Sequence, residues 1–457
     1  MDFKNNQWMK NALFLLLFIS TIAVGSAQAL PRNGWFGARM AANESTENNP
    51  ASGLKIIEVV GGTALKNKLQ AGDILVRFNN ATVTNMASLV SELGKTHEGD
   101  RVPIELVRVD QKLAMKIDIV GRAREKDQNS TVIYDRVAFK GGYLSVIINK
   151  PNGSGKFPAL LFIPGYTCSS IDGLTPDHPY GHIVQAFSEA GFVVVRVEKS
   201  GLGDSQNTPD CSSTTLLDEV ESFQAGLSKL QSLAYVDTEK ICLFGHSMGG
   251  VIAPALAAKN NIRGTIVYGT TAKSWFEYQL EMNRLQLKLA KTPPLEYEQL
   301  CRKQGEIAHA YFIENKSLKD IAANPAFAEI LKTDWQYDGK NMIFERNEAY
   351  WRQIQDYPVL ENWKNTTGKV LVLFGESDFQ AFSKADHEQI VYTVNHYHPN
   401  AATLICFPET DHYLAKSGSM QQAYDLFSQG KIQELFNLFN PLVTQKSVEW
   451  AKKILEP

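Results

Sequence analysis

The sequence predicts an α/β protein: a mostly parallel sheet covered by helices, interrupted by a helical insertion and preceded by a small, mainly-β module. Three observations carry this. From residue 132 onward, continuous apolar runs such as "ALLFIPG", "FVVVRVEK" and "KVLVLFG" alternate with amphipathic stretches, the pattern of strands buried on both faces with helices between them. That alternation stops at about residue 273 and resumes after about 363, and the sequence between is helical in pattern and rich in aromatics. Residues 30–122 instead consist of short strand-like runs broken by turn residues.

The chain has 457 residues, long enough for two or three domains, with 44% hydrophobic and 21% charged residues. A formal charge of -3 gives no reason to expect nucleic acid as a partner. Residues 1–29 read as an export signal: Lys4 and Lys10, the apolar run "ALFLLLFISTIAV", then "GSAQA" with small residues at Ala27 and Ala29. The run is shorter than the roughly 20 residues a bilayer span needs, which argues against an uncleaved anchor, and no later segment reads as a span. The expected location is therefore outside the cytoplasm, periplasmic or secreted.

Within 30–122 the order is "GWFGARM", a polar loop, "LKIIEVV", "GGTALKNKLQ", "AGDILVRFNN", "NMASLVSEL" at helical spacing, "RVPIELVRV" and "LAMKIDIVG". This order resembles a PDZ domain of the bacterial type, most specifically in "GTALKNKLQAGDILVRFNN", where Gly72 and Asp73 turn into a strand ending at Asn79. The resemblance implies that backbone N–H groups of Gly34, Trp35, Phe36 and Gly37 would hold a partner's C-terminal carboxylate. Ala38 to Met40 would receive its chain as an added strand, and Met86, Leu89 and Val90 would line the groove. The alternative is a module of this fold that only packs on its neighbour.

A polar stretch at 123–131 reads as a linker. Beyond it, two strands meeting at Gly141 and Gly142 suggest a hairpin, followed by "ALLFIPG", a helix at "YGHIVQAFSEAG", "FVVVRVEK", a helix from about Thr215 to Ala234, and "KICLFGHS". The helix "GGVIAPALAAKN" and strand "GTIVYGT" follow, then the insertion over about 273–363, read as a cap on the sheet. "KVLVLFGESD", "ATLICFPETDH" and a final helix near "PLVTQKSVEWAKKIL" complete the pattern.

Ligands of open parallel sheets bind beyond the carboxyl ends of the strands, and three residues fall there: Ser247, Asp378 and His412. A serine hydroxyl becomes nucleophilic when an imidazole takes its proton, and the imidazole needs a carboxylate to fix its tautomer. "GHSMG" places Ser247 between a strand and a helix with glycines at 245 and 249, as a strained nucleophile turn requires, and the order Ser, Asp, His suits this fold. Asp411 and Glu376 are the rival acids. Met248 N–H and Tyr166 N–H are the candidate oxyanion donors, since Pro164 has none.

With "GHSMGG", "SGLGDS", "GESD" and "TDH" in place, residues from about 131 to 457 resemble an α/β-hydrolase with a helical cap. Pro164-Gly165 stands where that family often has His-Gly. The expectation is an exported serine hydrolase of carboxylic esters, acting on a small or medium substrate, with no cofactor. A peptidase of the same fold is the alternative, and a third reading makes the PDZ-like module the functional centre, docking the chain to an envelope protein.

Among five cysteines, Cys242 and Cys406 lie in apolar runs and Cys301 in a polar helical stretch. Cys168 and Cys211 each follow a strand in a loop and form the candidate disulfide. No C-x-x-C or H-E-x-x-H spacing suggests a metal; "HYH" at 396–398 and "DHPYGH" at 177–182 read as solvated or loop histidines.

Overall fold

A computed structural model describes residues 27–43, 52–175 and 177–456; residues 1–26 of the expected export signal lie outside the described residues. No helix among the described residues is long and apolar enough to cross a membrane.

The first unit is an antiparallel sheet of β1 (Ala38–Asn43), β2 (Gly53–Val59), β3 (Ile74–Phe78), β4 (Ala81–Thr82), β5 (Arg101–Arg108) and β6 (Gln111–Asp118). Its order is β1-β2-β3-β5-β6, with β4 beside β3, so β1 is an edge strand. Two helices, α1 (Gly62–Lys66) and α2 (Met86–Leu93), accompany it, and Leu54, Ile56, Leu75, Phe78, Ile104 and Ile117 form its core.

The expected groove is revised at two points. Leu89 is buried in that core, while Met86 and Val90 stay exposed. Residues i and i+4 share a helix face, so Met86 and Val90 point outward together and Leu89 is turned inward. In the carboxylate loop, the Gly34 and Trp35 N–H groups already donate to Thr96 O and Val120 O. Among the described residues only the Phe36 and Gly37 N–H groups of that loop lack a protein acceptor.

The second unit is an eight-stranded sheet built from β7 (Ser130–Phe139), β8 (Gly142–Pro151), β9 (Phe157–Ile163), β10 (Val193–Val197), β11 (Val236–His246) and β12 (Gly264–Tyr268). A two-stranded hairpin, β13 (Met342–Ile343) and β14 (Arg346–Asn347), belongs to the insertion, and β15 (Lys369–Gly375) and β16 (Ala402–Phe407) complete the sheet. The order is β16-β15-β12-β11-β9-β10-β8-β7; β8 pairs antiparallel with both β7 and β10 near one edge, and every other pairing is parallel.

Alternate residues of one strand feed opposite faces. Leu161, Leu243, Val195 and Val372 pack on one side with α4 (Leu216–Ser232) and α5 (Gly249–Ala257), and Leu160, Phe244, Val194 and Leu371 on the other. That second face is covered by α3 (Pro179–Glu189) and by the last helix. The insertion between β12 and β15 holds α6 (Trp275–Leu289), α7 (Pro294–Ala308), α8 (Leu318–Ala322), α9 (Pro325–Thr333), α10 (Glu348–Gln355) and α11 (Val359–Asn365). After it come α12 (Lys384–Tyr397), α13 (Met420–Ser428), α14 (Ile432–Asn437) and α15 (Pro441–Leu455). The two helices α13 and α14 were not anticipated from sequence.

The two units are held together by buried charges. Arg32 bonds Asp172, and also Asp204 at 2.7 Å, with all three side chains at most 6% exposed. Glu125, in the stretch read as a linker, accepts from Arg196 at 2.9 and 2.6 Å and from Gly173 N–H at 2.7 Å. That stretch is therefore pinned to the second unit at Glu125. Cys168 and Cys211 are disulfide-bonded. Of the free cysteines, Cys242 and Cys301 are buried, whereas Cys406 is half-buried because its strand β16 lies at the sheet edge.

Candidate active site

Strand β11 ends at His246, α5 begins at Gly249, and Ser247 sits between them at φ +56°. A non-glycine residue in the left-handed region is strained, and such strain collects at functional turns. The flanking glycines are required by contact rather than by flexibility: a Cβ on Gly245 would lie 2.3 Å from Gly249 O, and one on Gly249 would lie 2.1 Å from Ile163 O. The serine backbone is anchored by its N–H, which donates to Tyr268 O at 2.9 Å.

Asp378 follows β15 and is fully buried. Its Oδ2 lies 2.8 Å from His412 Nδ1, and its Oδ1 accepts from the N–H groups of Gln380 and Ala381 at 2.8 and 2.7 Å. Burial would push this carboxyl up, but the His412 ring and the two N–H donors outweigh it and hold the group below the usual carboxylate range. Ser247, Met248, Tyr166 and His412 line one pocket. Its walls include Trp275 and Tyr278 of the first insertion helix, α6. Sequence periodicity did not separate these two aromatics from ordinary helix packing.

Met248 stands at the N-terminus of α5. Among the described residues neither its N–H nor that of Tyr166 has a protein acceptor. Buried backbone donors normally find partners, so an unpaired pair beside Ser247 is suited to receive an oxygen atom from a ligand.

The rival acids do other work. Glu376 is exposed. Asp411 Oδ1 accepts from Tyr413 N–H at 2.8 Å and Ala415 N–H at 3.0 Å, shaping the turn that carries His412, while its Oδ2 is buried without a hydrogen-bond partner. Burial pushes this carboxyl up to about 6. A carboxyl raised in the folded state imposes no penalty below its unfolded value near 4; the penalty grows as pH rises and is complete above about 6. Asp411→Asn keeps an oxygen for both N–H donors and is expected to be more stable than the wild type by about 3 kcal/mol at pH 8, the difference vanishing near pH 4. Thermal unfolding of both proteins across that range checks this, and a less stable variant at pH 8 would contradict it.

His246, immediately before Ser247, is buried and bridges two elements. Its Nε2 lies 2.9 Å from His412 O and its Nδ1 2.8 Å from the Tyr180 hydroxyl. A carbonyl only accepts, so Nε2 carries the proton and Nδ1 accepts from Tyr180. Burial, with His412 adding to it, lowers this imidazole to about 3 and keeps it neutral. His178 accepts the Tyr180 N–H at the start of α3, and His398 meets Lys364 O at 2.7 Å.

A mostly parallel sheet with helices on both faces, a helical insertion, and a strained serine where a strand gives way to a helix define an enzyme of the α/β class. The chain belongs to the alpha/beta hydrolase family, whose model matches residues 160–425, and the PDZ domain model matches residues 34–119. A curated relative is the esterase EstD of Thermotoga maritima, 26% identical over 128 residues; the match spans 28% of this chain and 30% of that one. Similar solved structures include Est1E from Butyrivibrio proteoclasticus, at 17% identity and TM-score 0.40, covering 66% of this chain and 100% of that one. A highly thermostable carboxyl esterase from Bacillus coagulans has 14% identity and TM-score 0.43, covering 72% and 100%.

Proposed function

We propose that the protein hydrolyses carboxylic esters through Ser247, His412 and Asp378. The observation that carries this reading is Ser247, held at φ +56° in the same pocket as His412, whose Nδ1 is 2.8 Å from a buried carboxylate. His412 Nε2 takes the hydroxyl proton as Ser247 Oγ bonds to the ester carbonyl carbon. The carbonyl π electrons move to oxygen, which the N–H groups of Met248 and Tyr166 receive. Collapse of the tetrahedral intermediate breaks the bond to the alcohol oxygen, and His412 returns the proton to it. Water then repeats the sequence on the acyl-enzyme, releasing the acid and restoring Ser247. Asp378 holds Nδ1–H throughout and stabilises the imidazolium.

The aromatic walls of the pocket, Tyr166, Trp275 and Tyr278, suit an apolar acyl group. A fluorophosphonate probe mapped by mass spectrometry, with a panel of short aryl esters and aminoacyl amides, tests the assignment. Labelling at Ser247 with ester turnover is expected. Turnover of amides alone would move the reading to a peptidase, and no labelling would remove it.

We further propose export, to the periplasm or beyond, and recruitment of a protein C-terminus by the PDZ domain. Export is supported by the leader-like sequence and by the Cys168–Cys211 bond, since disulfides persist in oxidising compartments. Recruitment is supported by the edge position of β1 beside exposed Met86 and Val90. In the full chain, Val90→Asp is expected to weaken binding of peptides with apolar C-termini by about tenfold or more while ester turnover stays unchanged. Fluorescence anisotropy with free-acid and amidated peptides checks this; equal binding of the two forms would count against carboxylate capture.

A further inference from the structure

The turn that carries Tyr166 is gripped from behind by two buried cations. Lys199 Nζ donates to Gly165 O at 2.6 Å, and Arg346 Nη1 donates to Tyr166 O at 2.7 Å. Both meet the same carboxylate oxygen, Glu219 Oε1, at 2.9 and 2.6 Å. All three side chains are at most 4% exposed. Arg346 Nη2 also donates to Thr214 O at 3.1 Å and Thr214 Oγ1 at 2.9 Å, and the Tyr350 hydroxyl donates to Glu219 Oε2 at 3.4 Å.

Burying three ions costs desolvation free energy, which their mutual attraction offsets only when further hydrogen bonds occupy the remaining donors and acceptors, as the two backbone carbonyls and Thr214 do here. Here both cations spend a donor on the carbonyls on either side of one α-carbon. No described peptide bond is cis, so in the Gly165–Tyr166 unit the N–H points away from the carbonyl. Fixing Gly165 O on Lys199 therefore turns the Tyr166 N–H to the opposite side. Gly165 packs so closely on the nucleophile that a Cβ there would lie 3.2 Å from Ser247 Cβ. Holding Tyr166 O on Arg346 fixes the next peptide plane, which leaves the Tyr166 backbone with no free rotation on either side.

We propose that Lys199 and Arg346, coupled through Glu219, are positioning residues that orient the Tyr166 N–H as an oxyanion donor. The inference rests on the proposed role of Tyr166 in ester hydrolysis and adds the device that aims it. Arg346 comes from the β13–β14 hairpin of the insertion, so the insertion contributes to transition-state binding as well as to the pocket wall. Charge reinforces the geometry, because a cluster of two cations and one carboxylate leaves net positive charge behind a site where negative charge develops.

The test compares Lys199→Met, Lys199→Gln and Arg346→Gln with the wild type in the full chain. The readouts are ester kcat and KM, affinity for a short-chain trifluoromethyl ketone that forms a tetrahedral oxyanion on the serine, and thermal unfolding. Lys199→Met and Arg346→Gln are expected to lower kcat about 10- to 100-fold with KM within about twofold, and to weaken the ketone by the same factor. Lys199→Gln, which keeps an N–H donor but no charge, is expected to fall between Lys199→Met and the wild type. If Lys199→Met does not fold, Lys199→Gln decides, with ketone affinity below wild type expected.

Wild-type kcat in the folded Lys199 variants, or a loss of kcat that leaves ketone affinity untouched, overturns the proposal. The two layers fail separately. Turnover that survives Ser247→Ala removes the esterase reading itself, whereas wild-type behaviour of Lys199→Met in a Ser247-dependent enzyme removes only the orienting role.

Discussion

Ser247→Ala is expected to lower kcat for a short aryl ester by about 10⁶-fold and to abolish phosphonate labelling, with the fold intact. The size follows from the mechanism, because without Oγ there is no acyl-enzyme and His412 has no proton to take. The stability side is equally specific. Position 247 holds φ +56° whichever side chain it carries, so alanine inherits the strain of serine. Ser247→Gly, equally inactive, is expected to be more stable than Ser247→Ala by about 1 kcal/mol, since glycine adopts this region without a Cβ clash. Steady-state turnover and thermal unfolding of the two variants read both effects. Turnover within tenfold of wild type in either would end the assignment.

Asp378→Asn is expected to cost about 10⁴-fold in kcat. The Gln380 and Ala381 N–H groups hold one side-chain oxygen, so the asparagine keeps its oxygen there and turns its NH₂ toward His412 Nδ1. Nδ1 must then accept, Nε2 becomes the protonated nitrogen, and the ring can no longer take the serine proton. The stability consequence has a definite sign. The Asp378 carboxyl lies lower in the folded state than in the unfolded chain, so its contribution is complete above the unfolded value near 4 and is lost as pH falls through the folded value. The wild type is therefore expected to be the more stable protein at pH 7, with the gap closing below about pH 4. Kinetics at pH 7 and unfolding midpoints from pH 3 to 7 check both parts. A variant within tenfold of wild-type kcat would assign the acid's role elsewhere, Asp411 being the carboxylate adjacent to His412 in sequence.

The strands were legible because burial on two faces forces uninterrupted apolar runs, and their ends pointed to residues 247, 378 and 412. Choosing Asp378 over Asp411 was a matter of position on the turn; the structure adds the contact with His412 and gives Asp411 a separate duty. The grip on the turn that carries Tyr166 could not be read in the same way. Lys199 meets a carbonyl 34 residues away, and Arg346 meets a carboxylate 127 residues away. Neither pairing leaves a local pattern, because a buried ion pair has no period. Leu89 shows a different limit: in an eight-residue helix a small error of phase exchanges a groove residue for a core residue.

Arg32 has a consequence for how this chain can be taken apart. It precedes the PDZ sheet, yet its guanidinium is the counter-charge of Asp172 and Asp204 on two loops of the hydrolase. A hydrolase begun at residue 123 would keep both carboxylates and lose their cation. A foreign PDZ domain grafted in front of it would meet the same two orphaned charges unless the graft brought an arginine to the same point. The two halves are thus less like beads on a string than like a key cut for one lock, and they are expected to fold stably and to be exchanged only as a pair.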